Sequence, residues 1–105
     1  MDLPKTSIIV VNYNGEKYIS ECLDSLKNLN YPDGYEVIVV DNGSEDNSVS
    51  LIKKSHPWVK VIETGKDLGY AAGINTGVPE ANGKYMVILN PDTIVDRNLL
   101  KELVI

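Results

Sequence analysis

Asn90-Pro91-Asp92 follows the apolar run Met86-Val87-Ile88-Leu89 without a break, and Asp41 closes a second run, Val37-Ile38-Val39-Val40. Both carboxylates stand where a buried strand would emerge. In an open parallel sheet, ligands bind beyond the carboxyl ends of the strands. Pro91 stiffens the backbone so that Asn90 and Asp92 can face one site. Carboxylate oxygens and water suit Mg²⁺ or Mn²⁺, ions that usually take further ligands from substrate phosphates. Alone, Asp92 would read as the start of a turn. Combined with Asp41, it points to a divalent-metal site.

Two more strand ends carry chemistry. Asn12-Tyr13-Asn14-Gly15 follows Ile8-Ile9-Val10-Val11 and leads into a helix. Tyr13 can stack a ring there, and the helix start offers backbone N–H groups to an anion. Equally, Asn14-Gly15 can simply turn the chain. Farther on, Gly69, Gly73 and Gly77 recur every four residues, a bare helix face that can approach a sheet and leave room for a ligand near the helix start. No Gly-Lys-Ser/Thr ending makes this a P-loop, and no dinucleotide fingerprint follows the first strand. His56, beside Pro57, reads as a helix C-terminal cap, Cys22 as part of a buried helix face, and Trp58 as an anchor of the third strand. No Ser-His-Asp arrangement can be argued from these positions.

The elements that must hold these ends alternate regularly. Strands are expected over 7–12, 36–40, 58–62 and 85–89 from their apolar runs. Helices are expected over 16–27, where Ile19, Cys22, Leu23 and Leu26 recur at helical spacing, and over 68–81, with a kink or end near Pro79. Another should start at Ser44 as N-cap, with Glu45 and Asp46 at its positive end, and carry Val49 and Ile52. A last helix should begin near Asp96 and bury Leu99, Leu100, Leu103 and Val104. This β-α order implies an α/β fold: a Rossmann-like three-layer sandwich with a mostly parallel sheet and right-handed crossovers. Because Ile105 falls inside that last helix, without a cap, residues 1–105 read as half of something larger.

Composition narrows the function classes. The chain has 105 residues, enough for one domain, with 43% hydrophobic and 24% charged residues,. A net charge of −5 argues against a nucleic-acid surface, though not against a single nucleotide held by backbone amides and a cation,. The N-terminus has no signal-peptide pattern, no run approaches the roughly 20 apolar residues of a membrane span, and Cys22 is the only cysteine. A cytoplasmic setting follows as the default.

The four strand ends together resemble the family 2 glycosyltransferases of the GT-A fold. The matching stretches are Ser7-Ile8-Ile9-Val10-Val11-Asn12-Tyr13-Asn14, Val39-Val40-Asp41-Asn42-Gly43-Ser44-Glu45-Asp46, Leu68-Gly69-Tyr70-Ala71-Ala72-Gly73-Ile74-Asn75-Thr76-Gly77 and Leu89-Asn90-Pro91-Asp92. They span nearly the whole chain, in order; each is weak alone, and four in sequence are strong. The resemblance implies a GT-A nucleotide-binding half, with Asn12, Tyr13, Asn14, Asp41, Gly69, Asn75 and Asn90 in the nucleotide-binding set. Tyr13 would lie beside the base, Asp41 would hydrogen-bond the base or its ribose, and Asp92 would bind the Mg²⁺ or Mn²⁺ that bridges the diphosphate. Asn-Pro-Asp looks most like the rhamnosyltransferase-type branch, which implies a dTDP- or UDP-sugar donor and a glycan or lipid-linked acceptor. The full-length parent would then work at the cytoplasmic face of the membrane in polysaccharide biosynthesis.

The chain also departs from that family. Only thirteen residues follow Asp92, whereas the family's base and most of its acceptor site lie after this motif. Asn90 replaces an Asp, and Asp67 stands where the family often has Asn. The chain alone is therefore expected to transfer little or no sugar, and apolar surface left by a missing half would favour a homo-oligomer. The rival reading is a non-catalytic nucleotide- or protein-binding α/β module. A phosphoacceptor receiver would need an acidic pair where Asn12-Tyr13-Asn14 stands, and a sugar nucleotidyltransferase a Gly-rich, basic loop there.

Overall fold

The computed structural model describes residues 5–31 and 34–100. Continuous β-branched runs give four strands, β1 (Thr6–Asn12), β2 (Tyr35–Asp41), β3 (Lys60–Glu63) and β4 (Tyr85–Leu89). All pair in parallel in the order β3-β2-β1-β4. Thr6 to Asn12 are all buried, as an inner parallel strand covered on both faces requires. Alternate side chains supply two cores. Ile8, Val10, Val37 and Val39 meet Ile19, Cys22, Leu23 and Leu26 of α1 (Ile19–Lys27) and Ile52 of α2 (Ser48–Ser55). Ile9, Ile38 and Val40 face the other side, where α3 (Tyr70–Gly77) lies. The result is the expected three-layer α/β sandwich. Each fully buried Ile or Leu contributes about 1.5–3 kcal/mol.

α3 lies close to the sheet because two of its residues lack side chains. A Cβ at Gly73 would stand 2.9 Å from Val11 Cγ1, and one at Gly77 2.9 Å from Val40 Cγ2. Gly69 behaves differently: it precedes the helix with φ +87 and open space around its missing Cβ. Conformation, not proximity, asks for glycine there.

Several element ends differ from the sequence expectation. α1 starts at Ile19, not residue 16, because Gly15 O accepts from both Tyr18 N and Ile19 N in a preceding turn. Ser44 does not cap α2. Instead Asp46 Oδ1 accepts from Ser48 N at 3.0 Å and Ser48 Oγ at 2.5 Å, and the N-cap position falls at Asn47, three residues later than expected. Trp58 lies outside β3 and is exposed, so it does not anchor that strand. Pro79 ends α3 in the 3₁₀ turn Val78–Glu80, since its ring bars a further helical hydrogen bond,. Asp96 Oδ1 accepts from Asn98 N at 2.8 Å just before Leu99 and the buried Leu100 turn helical; Leu103 and Val104 lie outside the described residues. Among the described residues no helix is long and apolar enough to cross a membrane.

Candidate functional site

The carboxyl ends of β1 and β2 meet in register, Asn12 opposite Asp41. Asn12 Nδ2 lies 3.0 Å from Asp41 Oδ1, 3.0 Å from Ser48 Oγ and 3.3 Å from Ser44 Oγ. Asp41 also accepts from Ser44 Oγ at 2.6 Å and, through Oδ2, from Ser44 N at 3.0 Å. Both residues are buried, Asn12 at 0% and Asp41 at 2% exposure. A carboxylate out of water needs such donors. Asn12 Oδ1 has no hydrogen-bond partner and abuts Gly15, whose added Cβ would stand 2.2 Å away. Much of the polar capacity of these two residues is thus spent inside the protein.

The loop after β1 interlocks with the loop after β2. Asn14 adopts φ +53, a conformation asparagine tolerates better than most residues. Its N–H donates to Ser44 Oγ at 2.8 Å, and its Oδ1 accepts from Glu45 N at 2.7 Å. Glu16 N donates to Asp46 Oδ2 at 3.0 Å, while Asn47 N donates back to Glu16 Oε1 at 3.2 Å. Burial would raise the Asp46 carboxyl, but the donors from Ser48 and Glu16 outweigh it and hold Asp46 below the usual carboxylate range. Asn12 is buried while Tyr13 and Asn14 are exposed; with the Asn14 amide oxygen engaged, Tyr13 offers an aromatic ring to solvent at 45% exposure.

A third loop joins through Asn42, which received no role from the sequence. Its Nδ2 donates to Gly69 O at 3.0 Å, and Thr64 Oγ1 lies 3.3 Å from its Oδ1. Asp67 Oδ1 accepts from Gly69 N at 2.9 Å, fixing the approach to α3. Gly69 therefore lies near the Asp41 cluster. Asn75 does not: it is exposed, and helical spacing turns it about 200° from Gly73, onto the face away from the sheet,.

β4 delivers Asn90 and Asp92 to the same edge, both exposed, in a turn closed by Thr93 N donating to Asn90 O at 3.1 Å. The Asp92 carboxylate has no hydrogen-bond or ion-pair partner among the described residues. β1 lies between β2 and β4, so the strands that lead to Asp41 and Asp92 are not neighbours. No group of three or more His, Cys, Asp or Glu that could hold an ion occurs among the described residues. Asp92 suits a cation that takes one protein carboxylate and completes its shell from phosphate and water. Beneath the turn, burial pushes the Cys22 thiol up to about 11, against a Thr93 backbone hydrogen bond and with help from the nearby Asp92 charge.

One juxtaposition was invisible in the sequence. His56 Nε2 lies 3.0 Å from Ser20 Oγ, and Nδ1 lies 3.8 Å from Asp24 Oδ1. The imidazole is 2% exposed and fastens α1 to α2. Burial leads in lowering its pKa from the ordinary 6.5; Lys27 adds to the shift and Asp24 opposes it. Ser44, Ser48 and Thr64 were also missed as a network. The only signal for the two serines was the run of short polar side chains after β2, and Thr64 follows β3.

A sequence profile of the family described as Glycosyl transferase family 2 matches residues 7–104. A poly(ribitol-phosphate) beta-glucosyltransferase of Bacillus spizizenii is 39% identical over 101 residues, covering 91% of this chain and 16% of that protein. Among solved structures, S. aureus TarS 1-349 in complex with UDP-GlcNAc is similar at TM-score 0.86 and 31% identity, over 94% of this chain and 30% of that one. The mannosyltransferase PcManGT from Pyrobaculum calidifontis, in complex with GDP-Man and Mn²⁺, gives TM-score 0.86 and 31% identity, over 98% of this chain and 33% of that one. The chain spans a third or less of each.

Proposed function

The chain belongs to glycosyl transferase family 2, and on that premise we propose that residues 1–105 form the donor-binding half of a metal-dependent, inverting enzyme. Its reaction moves a sugar from a UDP- or dTDP-linked donor to a glycan or lipid-linked acceptor. The observation that carries this reading is the exposed, unpartnered Asp92 carboxylate on the sheet edge that also bears Tyr13 and Asp41. Likeness to proteins holding UDP-GlcNAc, or GDP-Man with Mn²⁺, supports it. The rhamnosyltransferase-like branch, a setting at the cytoplasmic face of the membrane and self-association of the isolated half belong to the same reading.

Each residue has a task. Tyr13 stacks on the base. A carboxylate offers about four acceptor sites. Asp41 commits three of them internally, to Asn12 Nδ2, Ser44 Oγ and Ser44 N. The remaining site on Oδ2 accepts from a base N–H or a ribose hydroxyl. Asn14 and Asn12 hold the loop that carries Tyr13, Gly69 opens the approach to α3, and Asn90 shapes the turn that presents Asp92. Asn75, exposed on α3, stays in the nucleotide-binding set on the family resemblance alone. Asp92 would hold Mg²⁺ or Mn²⁺, which when bound would supply Lewis-acid stabilisation of a departing diphosphate, worth several kcal/mol. The carboxylate base that inversion requires falls outside residues 1–105.

The test is calorimetric titration of UDP, dTDP and GDP, with and without Mn²⁺, into this chain and Asp92→Ala. Metal-dependent binding between about −8 and −4 kcal/mol, lost in Asp92→Ala, is expected. Metal-independent binding, or none by a folded chain, would instead favour a non-catalytic α/β module.

A further inference from the structure

Asp92 is free at its carboxylate but not at its backbone. Upstream, the Asn90 carbonyl lies 4.0 Å from Cys22 Sγ on α1. Downstream, Val95 N donates to Ser25 Oγ at 3.1 Å, and the same hydroxyl donates to Cys22 O at 2.7 Å. Cys22 and Ser25 are one helical turn apart, so both anchors share one ledge. Beyond them, Asn30 N donates to Arg97 O at 2.6 Å and Asn30 Nδ2 to Asn98 Oδ1 at 3.1 Å. The segment carrying Asp92 is fastened to one helix and its C-terminal extension.

From this geometry we propose that Ser25, supported by Cys22, is a positioning residue: α1 sets the position of the Asp92 carboxylate that would hold a divalent cation. The inference rests on the metal-binding reading of Asp92. Ser25 acts as both donor and acceptor. Without it the Val95 N–H loses its partner, and of the two anchors on α1 only Cys22 remains, the next hold downstream being Asn30 at Arg97 and Asn98. The carboxylate keeps its charge but samples more positions. Partners behind a metal ligand typically contribute about 10–100-fold in metal affinity.

The experiment titrates UDP, dTDP and GDP, with and without Mn²⁺, into the unaltered chain, Ser25→Ala, Ser25→Thr and Asp92→Ala, with folding checked by circular dichroism. Ser25→Ala should weaken Mn²⁺-dependent binding about tenfold and leave metal-free binding unchanged. Ser25→Thr, which keeps the hydroxyl, should restore it. If the alanine variant does not fold, Ser25→Cys replaces it and should show the same metal-specific loss. Equal weakening with and without metal would mark a merely structural role and overturn the inference. Loss in Asp92→Ala with none in Ser25→Ala overturns the positioning role alone. Undiminished binding by Asp92→Ala, or no metal-dependent binding by the unaltered chain, overturns the metal reading and this inference together.

Discussion

Asn12 and Asp41 face each other across paired strands, amide to carboxylate at 3.0 Å, both out of solvent. The Asp41 carboxylate gathers this amide and both donors of Ser44. An Asp41→Asn side chain would turn an NH₂ group towards one of those donors. Loss of about 1–3 kcal/mol of stability is expected, read as a lower urea midpoint. An unchanged midpoint would mean that the cluster holds nothing together.

Gly15 closes over the other side of Asn12. A methyl group there would meet Asn12 Oδ1 at 2.2 Å and Tyr18 Cε2 at 3.1 Å. Gly15→Ala should therefore cost about 1–3 kcal/mol through overpacking and loosen the loop that carries Tyr13. Thermal unfolding checks the first effect. If the melting temperature holds, Asn12 has another place to go.

His56 makes stability depend on pH. Its folded pKa lies below the ordinary 6.5, through burial first and Lys27 second, with Asp24 opposing. The unfolded chain then binds the proton more readily. The stability is fully present above about pH 6.5 and is lost as pH falls through the folded value. In urea titrations from pH 7.5 to 5, His56→Gln should remove this part of the slope. A slope identical in both proteins would assign it elsewhere.

The layers were legible because β1, β2 and β4 are apolar runs too short for helices, and α1 repeats Ile19, Cys22, Leu23 and Leu26 on one face. Ser44 misled because a short hydroxyl before a helix looks like a cap, yet its oxygen is claimed by Asp41, 3 residues back, and by Asn14, 30 residues away. Trp58 looked like a buried anchor by size alone. Asp41 and Asp92 lie at the carboxyl edge of the sheet, since Asp41 ends β2 and Asp92 comes three residues after β4. Their separation depends on which strands are neighbours, and local spacing carries no such information. Ser25 carried no signal either, because its partner Val95 is 70 residues distant.

The pairing of β1 with β4 also bears on how the chain is made. Thr6 pairs with Tyr85, a partner roughly 80 positions later, the kind of distant contact that slows folding. During synthesis at about 5–20 residues per second, the central strand waits on the order of 4–16 s for its second neighbour. Through that interval one flank of Thr6 to Val10 stays open. Nascent chains arrested before Tyr85 leaves the ribosome should remain sensitive to protease around β1, and those arrested well past Leu89 should resist it.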